Sequence, residues 1–216
     1  MALFSSIIFD LDGTLVDSKP GLQNSLAYML SGMGLTHRAE EYISLMIGPP
    51  IQSALKDVFG FNDKQVETGV RLFREYYGQR GLYEGEVYPG IQLLLEELIC
   101  EGVKLYVATS KKTIFVPEIL RHFELDSYFD DLEGAGNGDL HTKAELITRL
   151  MDRNRIQPAK EVLMIGDTKF DVVGGKANEI ATLAVGYGFG NRAELQELNP
   201  DFFANDVDEL TEILLG

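Results

Sequence analysis

Residues 7–14 read Ile7-Ile8-Phe9-Asp10-Leu11-Asp12-Gly13-Thr14. An apolar run bounded by a glycine turn predicts a buried strand, here one that ends on two carboxylates. Asp10 and Asp12 stand two residues apart, so their side chains leave the pleat on the same side. Like charges held that close repel, and a fold keeps such a pair only with a cation or a proton between them. Gly13 then permits a tight turn or the close approach of a ligand. An acidic strand-to-loop turn is the plain alternative, and the rest of the chain weighs against it.

Outward from this strand, apolar patterning alternates between two periods. Short runs at Val103–Ala108, Asp130–Gly134, Val162–Ile165 and Ala181–Val185 predict further strands. Between them, helical spacing runs through Leu93, Leu94, Leu98 and Ile99 after Pro89-Gly90, then over Thr113–Phe123 with Pro117 in its first turn or kinking it, Thr142–Met151 and Phe170–Ala177, and short helices follow at Ala193–Leu198 and Val207–Leu215. Strands alternating with helices predict an α/β fold, a Rossmann-like parallel sheet with helices on both faces. The first crossover is abnormal, since about 90 residues separate Leu11 from Val103 where about a dozen suffice. That stretch reads as helices only, at Pro20–Met33 with Ser18 as N-cap, around Ile51–Phe59, and along the stripe Val66, Val70, Phe73 and Tyr77. Residues 16–86 are therefore expected to form an inserted all-helical cap domain, and residues 1–15 with 87–216 the catalytic core. The cap is expected above the carboxyl ends of the strands, where open α/β sheets bind ligands.

The chain of 216 residues carries a formal net charge of −15. Such a surface argues against a nucleic-acid polymer or an anionic membrane as partner, because phosphate backbones attract Lys and Arg patches. A small phosphorylated metabolite remains compatible, given a local cation and a lysine. The single Cys100 forms no internal disulfide; it lies beside Leu98 and Ile99 and is expected to be a buried structural thiol. No signal sequence or membrane-spanning run is read, which with the cysteine usage sets the expectation of a cytoplasmic protein.

Four strand ends bear polar residues: Asp10 and Asp12, Thr109 and Ser110, the Asp139–Lys143 region, and Asp167 with Asp171. In a parallel sheet these ends converge on one edge. As many as four carboxylates near one point call for a hard divalent cation with oxygen ligands, and Mg²⁺ is the natural choice. Each piece alone is weak, since a lone serine is commonly a turn residue and a lone lysine a solvated charge. Their order on successive strands makes them specific.

This order of motifs resembles the haloacid dehalogenase-like hydrolase superfamily, within it the phosphoglycolate phosphatase and 5′-nucleotidase branch with a helical cap. Asp10-Leu11-Asp12-Gly13-Thr14 matches the first motif, Ala108-Thr109-Ser110 the second, Lys143 the third, and Gly166-Asp167 through Asp171-Val172 the fourth; Tyr187-Gly188-Phe189-Gly190 is also similar. The resemblance implies a phosphatase. Asp10 attacks phosphorus and forms an aspartyl-phosphate, while Asp12 protonates the leaving alkoxide and then takes a proton from water. Mg²⁺ is expected on the carboxylates of Asp10 and Asp167 and the main-chain carbonyl of Asp12, with Asp171 binding directly or through water. Thr109, Ser110 and Lys143 are expected to hold the phosphoryl oxygens. Two departures lie in the last motif. Gly175 replaces the usual Ala, at an expected cost to the helix of roughly 1 kcal/mol, and Glu179 replaces Gly, so that Asn178 is expected to take the left-handed cap.

A sugar phosphomutase of the β-phosphoglucomutase type shares the first carboxylates and a similar cap, and stays open as an alternative, as does a catalytically inactive binding relative. A haloacid dehalogenase is disfavoured, because Asp12 and the metal-binding acids have no task there. Gly48-Pro49-Pro50, Gln52, Arg74, Lys111 and Lys112 are candidates for substrate contact, though for Arg74 and the two lysines a solvated surface charge is the stronger expectation. Tyr42 and Tyr76 are expected in packing and His37 and His141 at the surface. Substrate identity and oligomeric state stay open at this stage.

Overall fold

The computed structural model describes residues 3–35, 42, 51–136, 142–157 and 161–216. Gly48-Pro49-Pro50, His37, His141 and Asp139 lie outside the described residues. The chain divides into two compact units, Met1–Asp17 with Glu86–Gly216, and Ser18–Gly85.

The larger unit is built on a six-stranded sheet. Its strands are β1 (Ser6–Phe9), β4 (Lys104–Lys112), β5 (Asp131–Ala135), β6 (Val162–Gly166), β7 (Ala181–Val185) and β8 (Phe202–Ala204). They lie in the order β5-β4-β1-β6-β7-β8, and every pairing is parallel. The chain winds outward from β1 through β4 to β5, then crosses back to β6 on the other side of β1. The strand order thus reverses at the β1/β6 boundary, where doubly wound sheets open a crevice outside the carboxyl ends. Alternation sends Ile8, Tyr106, Ala108, Val162 and Met164 to one face, where they form a core with Ile147, Leu150 and Met151 of helix α6 (Lys143–Asn154). Val172 of α7 (Lys169–Ala177) packs with Ala184 and Leu195 in a second cluster.

The parallel sheet expected from the sequence is present, with two additions. β8 is only three residues long, too short to show alternation, and Asp201 ties its entry to β7 by accepting from the N–H and hydroxyl of Thr182. A two-stranded antiparallel ribbon joins β2 (Val16–Asp17) to β3 (Glu86–Val87), so the outgoing and returning chains pair at the boundary of the units. β4 also runs past the expected end at Thr109-Ser110, because its register shifts and Lys112 pairs with Ala135. The helix that follows, α5 (Val116–His122), therefore starts later than expected, with a proline in its first turn.

The smaller unit packs α1 (Lys19–Gly32), α2 (Ile51–Phe59) and α3 (Asp63–Gln79) around Leu26, Met29, Leu30, Ala54, Leu55, Val66 and Val70. Asn62 and Gln65 close a reciprocal capping box at the start of α3, satisfying two backbone donors that a helix end leaves free. Ser18 stands at the N-cap of α1, but its buried hydroxyl makes no capping bond. Tyr42 packs on Phe59, and Tyr76 packs on Tyr28 and donates to Glu84. Gln52 and Arg74 are exposed.

Three local expectations are corrected. Cys100 is exposed: α4 (Ile91–Cys100) buries Ile91, Leu94, Leu95 and Leu98, and two residues beyond Leu98 the helix has turned to its opposite face. Asn178 ends α7 with ordinary negative φ, and Glu179 takes the left-handed position at φ 57. Gly175 is no weakness, since a Cβ there would lie 2.6 Å from Thr182 Cγ2 and 3.1 Å from Met164 Cβ, and only glycine lets α7 lie this close to the sheet.

Candidate active site

Register brings the acids together. Phe9 is level with Ile165 of β6 and with Val107 of β4, and the Asp10 N–H donates to the Ile165 carbonyl at 2.9 Å. Asp10 therefore emerges between Ala108 and Gly166, one residue before Asp167. Carboxylate oxygens of Asp10, Asp167 and Asp171 lie within 4.8 Å of one another, and all three residues are buried. This cluster sits at the β1/β6 reversal, the ligand-binding position of the topology.

Each acid is held by a separate local device. Asp10 Oδ1 accepts from the Leu11 N–H at 2.7 Å. Asp167 Oδ2 accepts from the Phe189 N–H at 2.7 Å, and its Oδ1 from the Thr14 hydroxyl at 3.4 Å. Asp171 lies in the first turn of α7, and its Oδ2 reaches back to the N–H and hydroxyl of Thr168 at 3.0 and 2.7 Å. Gly13 has φ +78, and a Cβ there would overlap the Asp167 carboxylate, so the glycine serves both the turn and the close approach. Tyr187 donates to the Thr14 carbonyl at 3.0 Å and meets Tyr88 edge-on, which braces the loop after β1.

Lys143 stands at the N-terminus of α6, after a Thr142–Glu145 capping box, and is buried. Its Nζ contacts Asp10 Oδ1 at 2.9 Å and Asp171 Oδ1 at 2.7 Å, and donates to the Ala108 carbonyl at 3.0 Å. Three acceptors match its three protons. Burial works against the ammonium, yet the Asp10 and Asp171 carboxylates outweigh it and hold Lys143 above the usual lysine range. One lysine does not balance three acids. Burial raises Asp10 to about 6 against the pull of Lys143, with Asp171 adding to the rise. Burial raises Asp167 to about 8, helped by Asp171 and Asp10 and opposed by the Phe189 N–H. An all-oxygen cluster with an excess of two negative charges fits a hard divalent cation such as Mg²⁺.

The remaining expected residues are placed as follows. Asp12 lies beside the cluster, with Oδ1 2.7 Å from Lys111 Nζ. Thr109 is buried, and its hydroxyl accepts from the Lys111 N–H at 3.3 Å. Ser110 is exposed. Lys111, expected as a surface charge, has a side chain only 9% exposed. The Phe189 N–H and the Thr14 hydroxyl were given no role by the sequence motifs; Tyr187-Gly188-Phe189-Gly190 marked the place without the contact.

A family model described as haloacid dehalogenase-like hydrolase matches residues 7–185. The chain belongs to the haloacid dehalogenase-like hydrolase family. The resemblance carried by the motifs holds, and so does the α/β fold it implied. A 5′-nucleotidase of Pseudomonas aeruginosa is 37% identical over 212 residues, covering 98% of this chain and 96% of that protein. A phosphoglycolate phosphatase of Vibrio parahaemolyticus is 30% identical over 220 residues, covering 96% and 95%. Among solved structures, a haloacid dehalogenase-like family hydrolase from Streptococcus pneumoniae superposes with a TM-score of 0.89 at 32% identity, covering 97% of this chain and 98% of that one. The chain is thus an enzyme of the hydrolase class whose relatives, matched end to end, include named phosphatases.

Proposed function

We propose that this hydrolase is a Mg²⁺-dependent phosphatase that cleaves small phosphomonoesters through an aspartyl-phosphate at Asp10. The observation that carries the proposal is the buried triad of Asp10, Asp167 and Asp171 with its single lysine, set beside a separately paired Asp12. The Asp10 and Asp167 carboxylates and the Asp12 carbonyl would hold the metal, with Asp171 direct or through water. Bound there, Mg²⁺ would screen the Asp10 carboxylate from the anionic phosphoryl group.

In this mechanism an Asp10 oxygen attacks phosphorus in line as the bond to the leaving oxygen breaks. Asp12 gives its proton to that oxygen, then as carboxylate takes one from the water that cleaves the aspartyl-phosphate. Thr109 and Ser110 would position the phosphoryl oxygens, and the Lys143 charge, on gaining substrate in place of one of its present acceptors, would help to neutralise and hold them. Phosphoryl transfer needs mainly positioning and charge stabilisation. The helical unit Ser18–Gly85 is proposed to act as the cap that selects the leaving group. The named relatives make nucleoside 5′-monophosphates and phosphoglycolate the first substrates to test.

The test is phosphate release from p-nitrophenyl phosphate with Mg²⁺ and with EDTA, followed by a screen of nucleoside monophosphates, phosphoglycolate and sugar phosphates. Turnover that EDTA stops and Asp10→Asn abolishes is expected. Undiminished turnover by Asp10→Asn removes the nucleophile. Isomerisation of a sugar phosphate without phosphate release would make the enzyme a mutase.

A further inference from the structure

Asp12 is held on one side only. Its Oδ1 lies 2.7 Å from Lys111 Nζ, and among the hydrogen bonds and ion pairs of the described residues none reaches its Oδ2. The pair is well shielded, with side-chain exposures of 9% for Lys111 and 21% for Asp12, unlike the solvated pairs elsewhere on the chain. It is also kept apart from the acid triad, whose cation is Lys143. The backbone aims the lysine: β4 continues through Lys112 after a register shift, and the Lys111 N–H is fixed on the Thr109 hydroxyl at 3.3 Å. Ninety-nine residues separate the partners, so the contact is a product of the fold.

We propose that Lys111 is a positioning residue that anchors Asp12 by Oδ1 and leaves Oδ2 facing the leaving group for proton transfer. The inference rests on the phosphatase reading above. A free aspartate samples several rotamers, and only some place its proton within reach of the bridging oxygen. Ordering that carboxylate matters only when the leaving oxygen needs a proton. An alkoxide does, whereas p-nitrophenolate leaves unaided. A lysine that binds phosphate directly would affect both kinds of ester alike.

The experiment compares kcat/KM, which reports steps through formation of the aspartyl-phosphate, for β-glycerol phosphate and p-nitrophenyl phosphate. The proteins are wild type, Lys111→Met, Lys111→Gln, Lys111→Arg, Asp12→Asn and the double variant Lys111→Met/Asp12→Asn, all with Mg²⁺. Lys111→Met and Lys111→Gln are expected to lose about 10- to 100-fold on the alkyl ester, part of the contribution of a general acid, and less than about threefold on the aryl ester. Lys111→Arg is expected to restore much of the alkyl activity, and Lys111→Met is expected to add little to Asp12→Asn, as for two residues acting through one group. Equal losses on both esters, as from direct phosphate binding or a folding defect shared by Met and Gln, overturn the inference. So does a full additional loss in the double variant. No turnover by the wild type, or full turnover by Asp10→Asn, overturns the phosphatase reading and this inference with it.

Discussion

Asp167→Asn should stabilise the metal-free protein while destroying its response to Mg²⁺. The side chain is buried, and its hydrogen bonds suit an amide: one oxygen accepts from the Phe189 N–H, and the other atom faces the Thr14 hydroxyl, which accepts as readily as it donates. What the substitution removes is a charge that burial, Asp171 and Asp10 disfavour, raising the acid from 3.8 to about 8. A raised carboxyl contributes stability below its unfolded value and loses it as pH rises through the folded value. At pH 7 the loss spans about three pH units, which sets a ceiling of roughly 4 kcal/mol at about 1.4 kcal/mol per unit. The three acids share their strain, since protonating one relieves the others, so about 1–3 kcal/mol is expected. In EDTA, thermal melts should show Asp167→Asn above wild type by several degrees near pH 8, at ~2–4 °C per kcal/mol for a chain of this size. The gap should close toward pH 4, where both side chains are neutral. Excess Mg²⁺ should raise the wild type and leave the variant nearly unmoved. A variant less stable at pH 8, or a gap of equal size at both pH values, refutes the charge argument.

Mg²⁺ should raise the wild-type melting temperature more at pH 8 than at pH 5, because at the lower pH protons already occupy Asp10, raised to about 6, and Asp167, raised to about 8; an equal shift at both would place the ion elsewhere. Lys143→Met should cost about 3–5 kcal/mol in denaturant melts at neutral pH, as for other broken buried pairs, with partial recovery toward pH 5 as Asp10, raised to about 6, protonates. Gly175→Ala, stabilising by helix propensity alone, should instead destabilise by about 1–3 kcal/mol, because its Cβ meets Thr182 and Met164; a gain in the urea midpoint would contradict the packing.

Much of this arrangement is legible in the chain because it rests on short-range rules. β1, β6 and β7 are mainly apolar runs of four or five residues, long enough to declare themselves, and Asp10 and Asp167 follow directly at the carboxyl ends of β1 and β6. β8 and the β2/β3 ribbon are too short for a period to register. The exposure of Cys100 follows from which face α4 turns inward, and the cluster of apolar neighbours in sequence points the wrong way. Gly175 illustrates the same limit: propensity is a property of the residue, whereas the missing Cβ is a property of the Thr182 side chain opposite. Lys111 is a candidate for which a solvated charge is the stronger expectation, since a lysine after a strand reads that way until the fold brings it to Asp12.

The two lysines pair with different acids, although the Asp12 charge still adds to the rise of Asp10. Lys143 spends its three protons on Asp10, Asp171 and the Ala108 carbonyl, leaving the triad two charges in excess. That deficit is what a divalent ion corrects, and a second buried lysine there would remove the reason to bind one. In the proposed mechanism Asp12 carries a different requirement, since it would gain and lose a proton while the triad stays ionised beside the proposed metal. In the proposed role, pairing with Lys111 through one oxygen would keep it oriented while Lys143 serves the triad. The spacing of Asp10 and Asp12 alone leaves both carboxylates equivalent; in the proposed mechanism the lysines that reach them from different elements, α6 and β4, would suit one to phosphorus and the other to the proton.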